Sequence, residues 1–402
     1  MPRRFATAAW TGNTGRGGER LQNVENEKYA YWLSCIKGCT PRVRRSLFAV
    51  CAHAKEAYEL DENCLEKIPG LMHKDVSRII QSKKTWDIDG RWHELSRAKI
   101  RFASMEQQAY PPQLRELSDA PYGIFYRGSL PVPQQLHVAV VGARMCSEYG
   151  RTVARELARE LAARDVTVIS GMARGIDAAA HRGALDSGGD TYAVLGCGVD
   201  VCYPNYHRQL YDEIGKSGGL LSEYPPGTCP LPAYFPQRNR LISVLSDVVF
   251  IIEAKEKSGS LITADCALEQ GRDVYALPGR ITDALSAGCN RLIAQGAGIF
   301  LSVEDVLMEL SLSAVYAKEK KSAPRSTLNS GNCEIFDNLH KFSLEKDELL
   351  VYGCLGLLPT GFEELLEKTG LDIQALSQIL AALLQKHRIE EVFKNHYKII
   401  TE

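Results

Sequence analysis

Residues His137 to Asp177 read HVAVVGARMCSEYGRTVARELARELAARDVTVISGMARGID, and the parsing of this stretch decides the fold. Val138 to Val141 is an unbroken apolar run of strand length, which predicts a parallel strand buried on both faces. Gly142 ends it. From Tyr149 to Arg164 the apolar positions Val153, Leu157 and Leu161 recur at helical spacing between Arg151, Arg155, Arg159 and Glu160, so one stripe is expected to face a sheet and the rest water. The crossover returns as a second buried strand at Val166 to Ile169. The glycine turns at Gly142 and Gly171 then fall at the carboxyl ends of parallel strands, where doubly wound sheets bind their ligands.

Working outward, Thr191 to Leu195, Leu220 to Ser222, Val248 to Glu253 and Val274 to Leu277 are further short apolar runs, each followed by a turn rich in Gly, Pro or Ser. They predict a sheet of about six strands, mostly parallel and covered on both faces, closed by a helix at Val303 to Leu312. Upstream, residues 1–27 are glycine-rich and lack apolar periodicity, which predicts disorder. Residues 28–100 predict a helical domain, within which Ile68-Pro69-Gly70-Leu71 resembles the hairpin of helix-hairpin-helix (or SAM-like) modules that hold a phosphate on backbone N–H groups. Tyr110-Pro111-Pro112 and Pro121 to Pro133 read as an extended connector, placing the central domain at 101–312. Residues 313–334 lose apolar content and predict a linker. Residues 335–402 carry three helical patterns (Phe336 to Phe342, Lys346 to Leu358 with Gly361 to Lys368, Ile373 to Gln385) and a hairpin pattern around Lys394-Asn395-His396, the order of a winged helix. That tail holds seven Lys and Arg against eleven Asp and Glu, a formal charge of −4, which suits a protein contact at least as well as DNA.

Composition excludes little beyond extremes. The 402 residues are 45% hydrophobic, with 48 Lys and Arg against 49 Asp and Glu, so any polyanion site must be a local patch. The twelve cysteines contain no C-x-x-C pair, which favours buried thiols in a reducing compartment over zinc. No stretch approaches the roughly 20 apolar residues of a membrane helix, and no signal-peptide core is evident; a cytoplasmic protein is expected, with no metal or cofactor.

Five loops are predicted to converge at the strand ends: Gly142-Ala143-Arg144 with Ser147, Ser170-Gly171 through Arg174, Gly196-Cys197-Gly198, Phe235-Pro236-Gln237-Arg238-Asn239-Arg240, and Ser258-Gly259-Ser260 through Thr263. Glycines admit a ligand close to the backbone, helix starts offer free N–H groups, hydroxyls donate, and arginine forks match phosphate oxygens. G-x-G-x-x-G and G-x-x-x-x-G-K-[ST] are both missing, which disfavours a dehydrogenase or a P-loop ATPase. Asp177 and His181 lie one turn apart and read as an intrahelical pair. No nucleophile stands beside a base, so no catalytic residue is assigned. Phe235, in a loop expected to be exposed, either plugs the underside of that loop or supplies an aromatic face beside arginines, the usual means of stacking an unpaired base.

The series VAVVGAR, SGMARGIDAAAH, YAVLGCGVDVCYP, LLSEYPPG, FPQRNRLIS, EAKEKSGSLITADCALEQGRDVYALPG and AGCNRLIAQGA resembles the bacterial DNA-processing protein A (DprA/Smf) family from about Val138 to Ala297. The resemblance implies an extended Rossmann-like domain that binds single-stranded DNA without sequence preference, protects it, loads the RecA recombinase during natural transformation, dimerises, and is not an enzyme. It carries the DNA pocket onto Gly142, Arg144, Ser170, Gly171, Phe235, Arg238, Asn239, Ser258, Gly259, Ser260 and Thr263, to which the loop reading adds Arg174 and Arg240. Where many members have lysines near the phenylalanine, this chain has neighbours such as Pro232. The alternative is a nucleotide-cleaving hydrolase on a related fold, with Arg144 and Ser170 on a monophosphate and Glu223 or Glu253 as the acid.

Overall fold

The computed structural model describes residues 16–307, 351, 355, 360–369, 371–386, 389–393 and 396–399, and the chain divides into two compact units at Lys320/Lys321. Among the described residues of the first unit nine strands form one sheet: β1 (Arg101–Ser104), β2 (Gly123–Gly128), β3 (His137–Val141), β4 (Thr167–Ser170), β5 (Thr191–Val194), β6 (Gly219–Ser222), β7 (Val248–Ile251), β8 (Asp273–Ala276) and β9 (Gly298–Ile299). The order is β1-β2-β6-β5-β4-β3-β7-β8-β9. From β3 the chain winds one way through β4, β5 and β6, then jumps back to β7 on the other side. Adjacent strands from β6 to β9 are parallel, whereas β2 runs antiparallel to both β6 and β1.

Strand alternation sorts the core into two layers. Ala139, Val141, Ile169, Val249 and Ile251 point to one face, under helices α10 (Tyr234–Val244), α11 (Gly259–Glu269) and α12 (Ala287–Ala294). Val138, Val140, Val168, Val248 and Phe250 point to the other, under α7 (Glu148–Ala162) and α8 (Ile176–Asp186), while α9 (Arg208–Ser217) covers β5 and β6. The six expected strands are present; the remaining three, β1, β2 and β9, raise the number to nine. β2 lies inside the stretch read as a connector. An antiparallel strand needs no crossover helix and so lacks the βα signature that marks the others. Residues 303–307 are helical; the rest of that expected helix lies outside the described residues.

Residues 16–27, expected to be disordered, are a correction: α1 runs Arg16–Cys35. Its later turns carry the apolar residues Ala30, Tyr31, Trp32 and Leu33, and its helical pattern continues upstream through polar residues that periodicity does not mark. Five further helices follow, α2 (Pro41–Phe48), α3 (Ala54–Glu59), α4 (Glu62–Glu66), α5 (His73–Thr85) and α6 (Ile88–Arg97). This helical segment does not close a core of its own: Trp32, Leu33 and Leu47 share one with Phe102, Tyr122 and Phe125 of the sheet edge. The hairpin at Ile68 to Leu71 joins α4 to α5 with Gly70 at φ +87°. Arg42 donates to the Gly70 carbonyl and to the buried Asp75 carboxylate, so that cation is engaged within the fold.

The second unit contains helices Phe362–Thr369 and Ile373–Gln385 and a small antiparallel sheet of Thr360–Gly361, Ile389–Phe393 and His396–Ile399. Leu365, Leu376, Leu380, Leu383 and Ile389 form its core, an arrangement consistent with a winged helix. The expected linker 313–334, the helical pattern at Phe336 to Phe342, most of Lys346 to Leu358, and Lys394-Asn395 fall outside the described residues.

Candidate functional site

The reversal of winding between β3 and β7 leaves a crevice at their carboxyl ends, the topological switch point at which open α/β sheets bind ligands. A cleft of about 460 Å³ opens there, lined by Gly142, Arg144 and Met145 after β3, Ala173 and Asp177 after β4, Pro232, Phe235, Arg238 and Asn239, and Lys255, Lys257, Ser258, Gly259, Ser260 and Thr263 after β7. That volume lies in the roughly 300–1,000 Å³ range of small-ligand clefts. Nine of the thirteen expected site residues line it.

The other four do not. Ser170 is fully buried and its hydroxyl donates to the Val140 carbonyl at 2.7 Å, tying β4 to β3. Gly171 is a packing glycine, since a Cβ there would fall 2.6 Å from Arg238 Nη2 and 2.7 Å from Asp177 Oδ2. Arg174 is exposed beyond the cleft. Arg240 is clamped between Glu223, at 2.8 Å, and Asp119, also at 2.8 Å. Its two-residue offset from Arg238 turns it to another side of α10, where it stabilises carboxylates.

Local sequence explains the floor of the cleft. FPQRNR, expected as a loop, is the first part of α10; Pro236 falls in the first turn, where a missing N–H costs nothing. The helix start holds Phe235 half-buried against Gly196, where a Cβ would approach the ring to 3.0 Å. The Arg144 guanidinium lies 5.2 Å from the ring centroid, that of Arg238 lies 6.0 Å away, and the Tyr203 ring packs at 5.4 Å. Asn239 Nδ2 donates to the Gly259 carbonyl at 3.2 Å, joining the second turn of α10 to the first residue of α11.

Arg238 lines the cleft but offers it no free fork. It is 3% exposed, and its Nη1 donates to the carbonyls of Gly171 (2.9 Å) and Val194. Burial depresses its proton affinity, opposed by the charge of Asp177. Burial likewise raises the Asp177 pKa, opposed by the charge of Arg238 and by hydrogen bonds from the Ala173 and Gly171 amides. The expected Asp177–His181 pair is not formed: His181 Nδ1 meets Thr191 Oγ1 at 2.7 Å. Thr191 donates to the Val168 carbonyl, so Nδ1 is the donor; burial drives the His181 pKa down to about 3, which keeps the ring neutral.

The α11 start meets the requirements for an anion. Ser258 is its N-cap, with the Ser258 and Ser260 hydroxyls 2.8 Å apart. A Cβ at Gly259 would meet nothing within 4 Å, whereas one at Gly142 would press on Ile176 at 2.7 Å. Gly142 is therefore a packing requirement, and Gly259 leaves room above the helix terminus, whose dipole favours negative charge, although the Ser260 amide is already capped by Ser258 Oγ and the Leu261 amide donates to the Ser258 carbonyl. Lys255 and Lys257, both exposed, were missed in the sequence because E-A-K-E-K reads as a solvated charge run; their position just before an N-capping serine was the available signal. Four cations thus line the cleft against one buried carboxylate, Asp177. Each of the two carboxylates offered as the acid of a hydrolase is occupied: Glu223 takes the Arg240 fork, and Glu253 accepts from the Ser147 amide at 2.8 Å and from its hydroxyl.

Fold and site together define a doubly wound α/β protein with a cationic, aromatic-floored cleft at its switch point. The family model described as DNA recombination-mediator protein A matches residues 101–311. DNA processing protein DprA of Streptococcus pneumoniae is 47% identical over 206 residues, 51% of this chain and 73% of the relative. Protein Smf of Synechocystis is 35% identical over 293 residues, covering 71% of this chain and 74% of the relative. The X-ray structure of DNA processing protein A from S. pneumoniae superposes with a TM-score of 0.62 at 38% identity, over 70% of this chain and 97% of that one. The chain belongs to the DNA recombination-mediator protein A family, as its motif series implied.

Proposed function

We propose that the cleft binds single-stranded DNA without base preference, and that the protein protects the strand and passes it to a RecA-type recombinase during DNA uptake in the cytoplasm, as a binding protein and not an enzyme. The observation that carries this reading is Phe235, half-buried at the cleft floor with an exposed Arg144 beside its ring. An unpaired base stacks on such a ring when the mobile guanidinium swings aside to its phosphate, and stacking of this kind tolerates every base. Lys255, Lys257 and the α11 start receive neighbouring phosphates. Ser170, Gly171 and Arg238 support the cleft from beneath.

Two-fold pairing belongs to the same proposal and is supported by the exposed apolar residues Ile299 of the edge strand β9 and Leu301 just after it. A dimer would place two clefts on one strand and raise avidity. The hand-off to a recombinase rests on family membership. The net-acidic 335–402 segment is assigned a secondary role, with 313–334 as its tether; the boundary between compact units at 320/321 supports that division.

Salt dependence tests the polyanion reading. With Arg144, Lys255 and Lys257 each neutralising a phosphate, the log–log slope of affinity against salt for an oligothymidylate should be about −2, at about −0.7 per contact. Arg144→Ala should make it shallower by about 0.7. A flat response would identify a small-molecule cleft instead.

A further inference from the structure

The loop between β5 and α9 carries two exposed tyrosines that the cleft does not use. Tyr203 is 42% exposed and Tyr206 67%. The Tyr203 ring lies 5.4 Å from Phe235, tilted by 40°, so the aromatic surface of the floor runs on past the rim. Tyr206 sits in the following single 3₁₀ turn, Asn205–His207, with its ring against that of His207 at 4.6 Å and 84°. His207 Nδ1 lies 3.4 Å from the Met172 carbonyl, which sets this turn beside the loop after β4. In that loop Ala173 lines the cleft and Arg174 is exposed just outside it. A single exposed tyrosine needs no explanation; two in succession, leading away from a cationic aromatic cleft and ending beside a free-standing arginine loop, form a path.

We propose that a strand leaving the cleft continues over Tyr203 and stacks a second base on Tyr206, with Arg174 meeting the phosphate between them. This rests on the single-strand reading of the cleft. The His207 ring holds the Tyr206 ring in place from its edge, so little side-chain freedom is lost when a base stacks, and the contact is as indifferent to sequence as the one on Phe235.

The test is competition anisotropy on the full chain with thymidine monophosphate and a graded series of oligothymidylates. Affinity of the unaltered protein should rise with length until the strand reaches Tyr206. Tyr206→Ala should weaken the longer oligomers by about fivefold or more while shifting the monophosphate by less than about twofold, and Tyr206→Phe should restore the loss. Arg174→Ala should make the salt slope of the longer oligomers shallower by about 0.7 and leave the monophosphate unaffected. A Tyr206→Ala protein that matches the unaltered one at every length, or that loses equally at every length, would overturn the second position. If the unaltered protein binds no oligomer better than the monophosphate, the single-strand reading itself fails and the path with it.

Discussion

Arg238→Ala is expected to lower unfolding stability by about 3–5 kcal/mol, the cost of stripping a buried charge of its counter-charge. The guanidinium is 3% exposed, bridges the carbonyls of Gly171 and Val194, and is the main opposing charge for the buried Asp177 carboxylate. Its removal leaves two buried carbonyls without donors and Asp177 without its main counter-charge. Arg238→Lys should recover only part of the loss: it keeps a cation beside Asp177, but Nη1 alone meets both carbonyls at the end of the longer arginine side chain, and the ammonium also lacks the Nε–H that Asn239 Oδ1 accepts. Chemical denaturation measures this as a fall in midpoint at unchanged slope. A variant with an unaltered midpoint and a selective loss of DNA affinity would show that the guanidinium is a ligand and not a strut. This inverts the expectation drawn from residue type alone, under which Arg238 neutralises a phosphate.

Phe235→Ala is expected to cost about 1–3 kcal/mol of single-strand affinity, on the order of five- to 150-fold. The salt slope should stay unchanged, because no charge is removed. Phe235→Trp should retain binding, since a larger ring offers the same face. The ring packs on Gly196 and Tyr203, so the alanine variant should also lose some stability, but less than Arg238→Ala. Anisotropy and denaturation of the same preparation separate the two effects. A collapse in stability with intrinsic affinity preserved in the folded fraction would make Phe235 a plug beneath the cleft.

The contrast between these residues shows what was legible in the sequence. The βαβ unit was read nearly to the residue: α7 spans Glu148–Ala162 and β4 Thr167–Ser170, because a strand buried on both faces leaves an unbroken apolar run and a helix on a sheet leaves a stripe. Convergence of the glycine turns at one sheet edge followed from that topology. What residue type does not specify is the direction of a side chain. Arg238 and Arg240 share a motif, yet two residues along a helix turn one into the core and the other toward Glu223 and Asp119. Asp177 and His181 have ideal intrahelical spacing but are claimed by backbone amides and by Thr191. β2 was hidden between prolines, and Lys255 and Lys257 were hidden in a charge run whose position at the switch point only the fold reveals.

The most direct test of the central claim is competition for a labelled oligothymidylate by unlabelled single strand and by blunt duplex, at equal nucleotide concentration and fixed salt. Stacking on Phe235 needs an unpaired base face, so the single strand should compete far better, by a margin that shrinks in Phe235→Ala. Equal competition by duplex and single strand, with the same margin in the variant, would mean that binding is backbone electrostatics alone and would contradict the account.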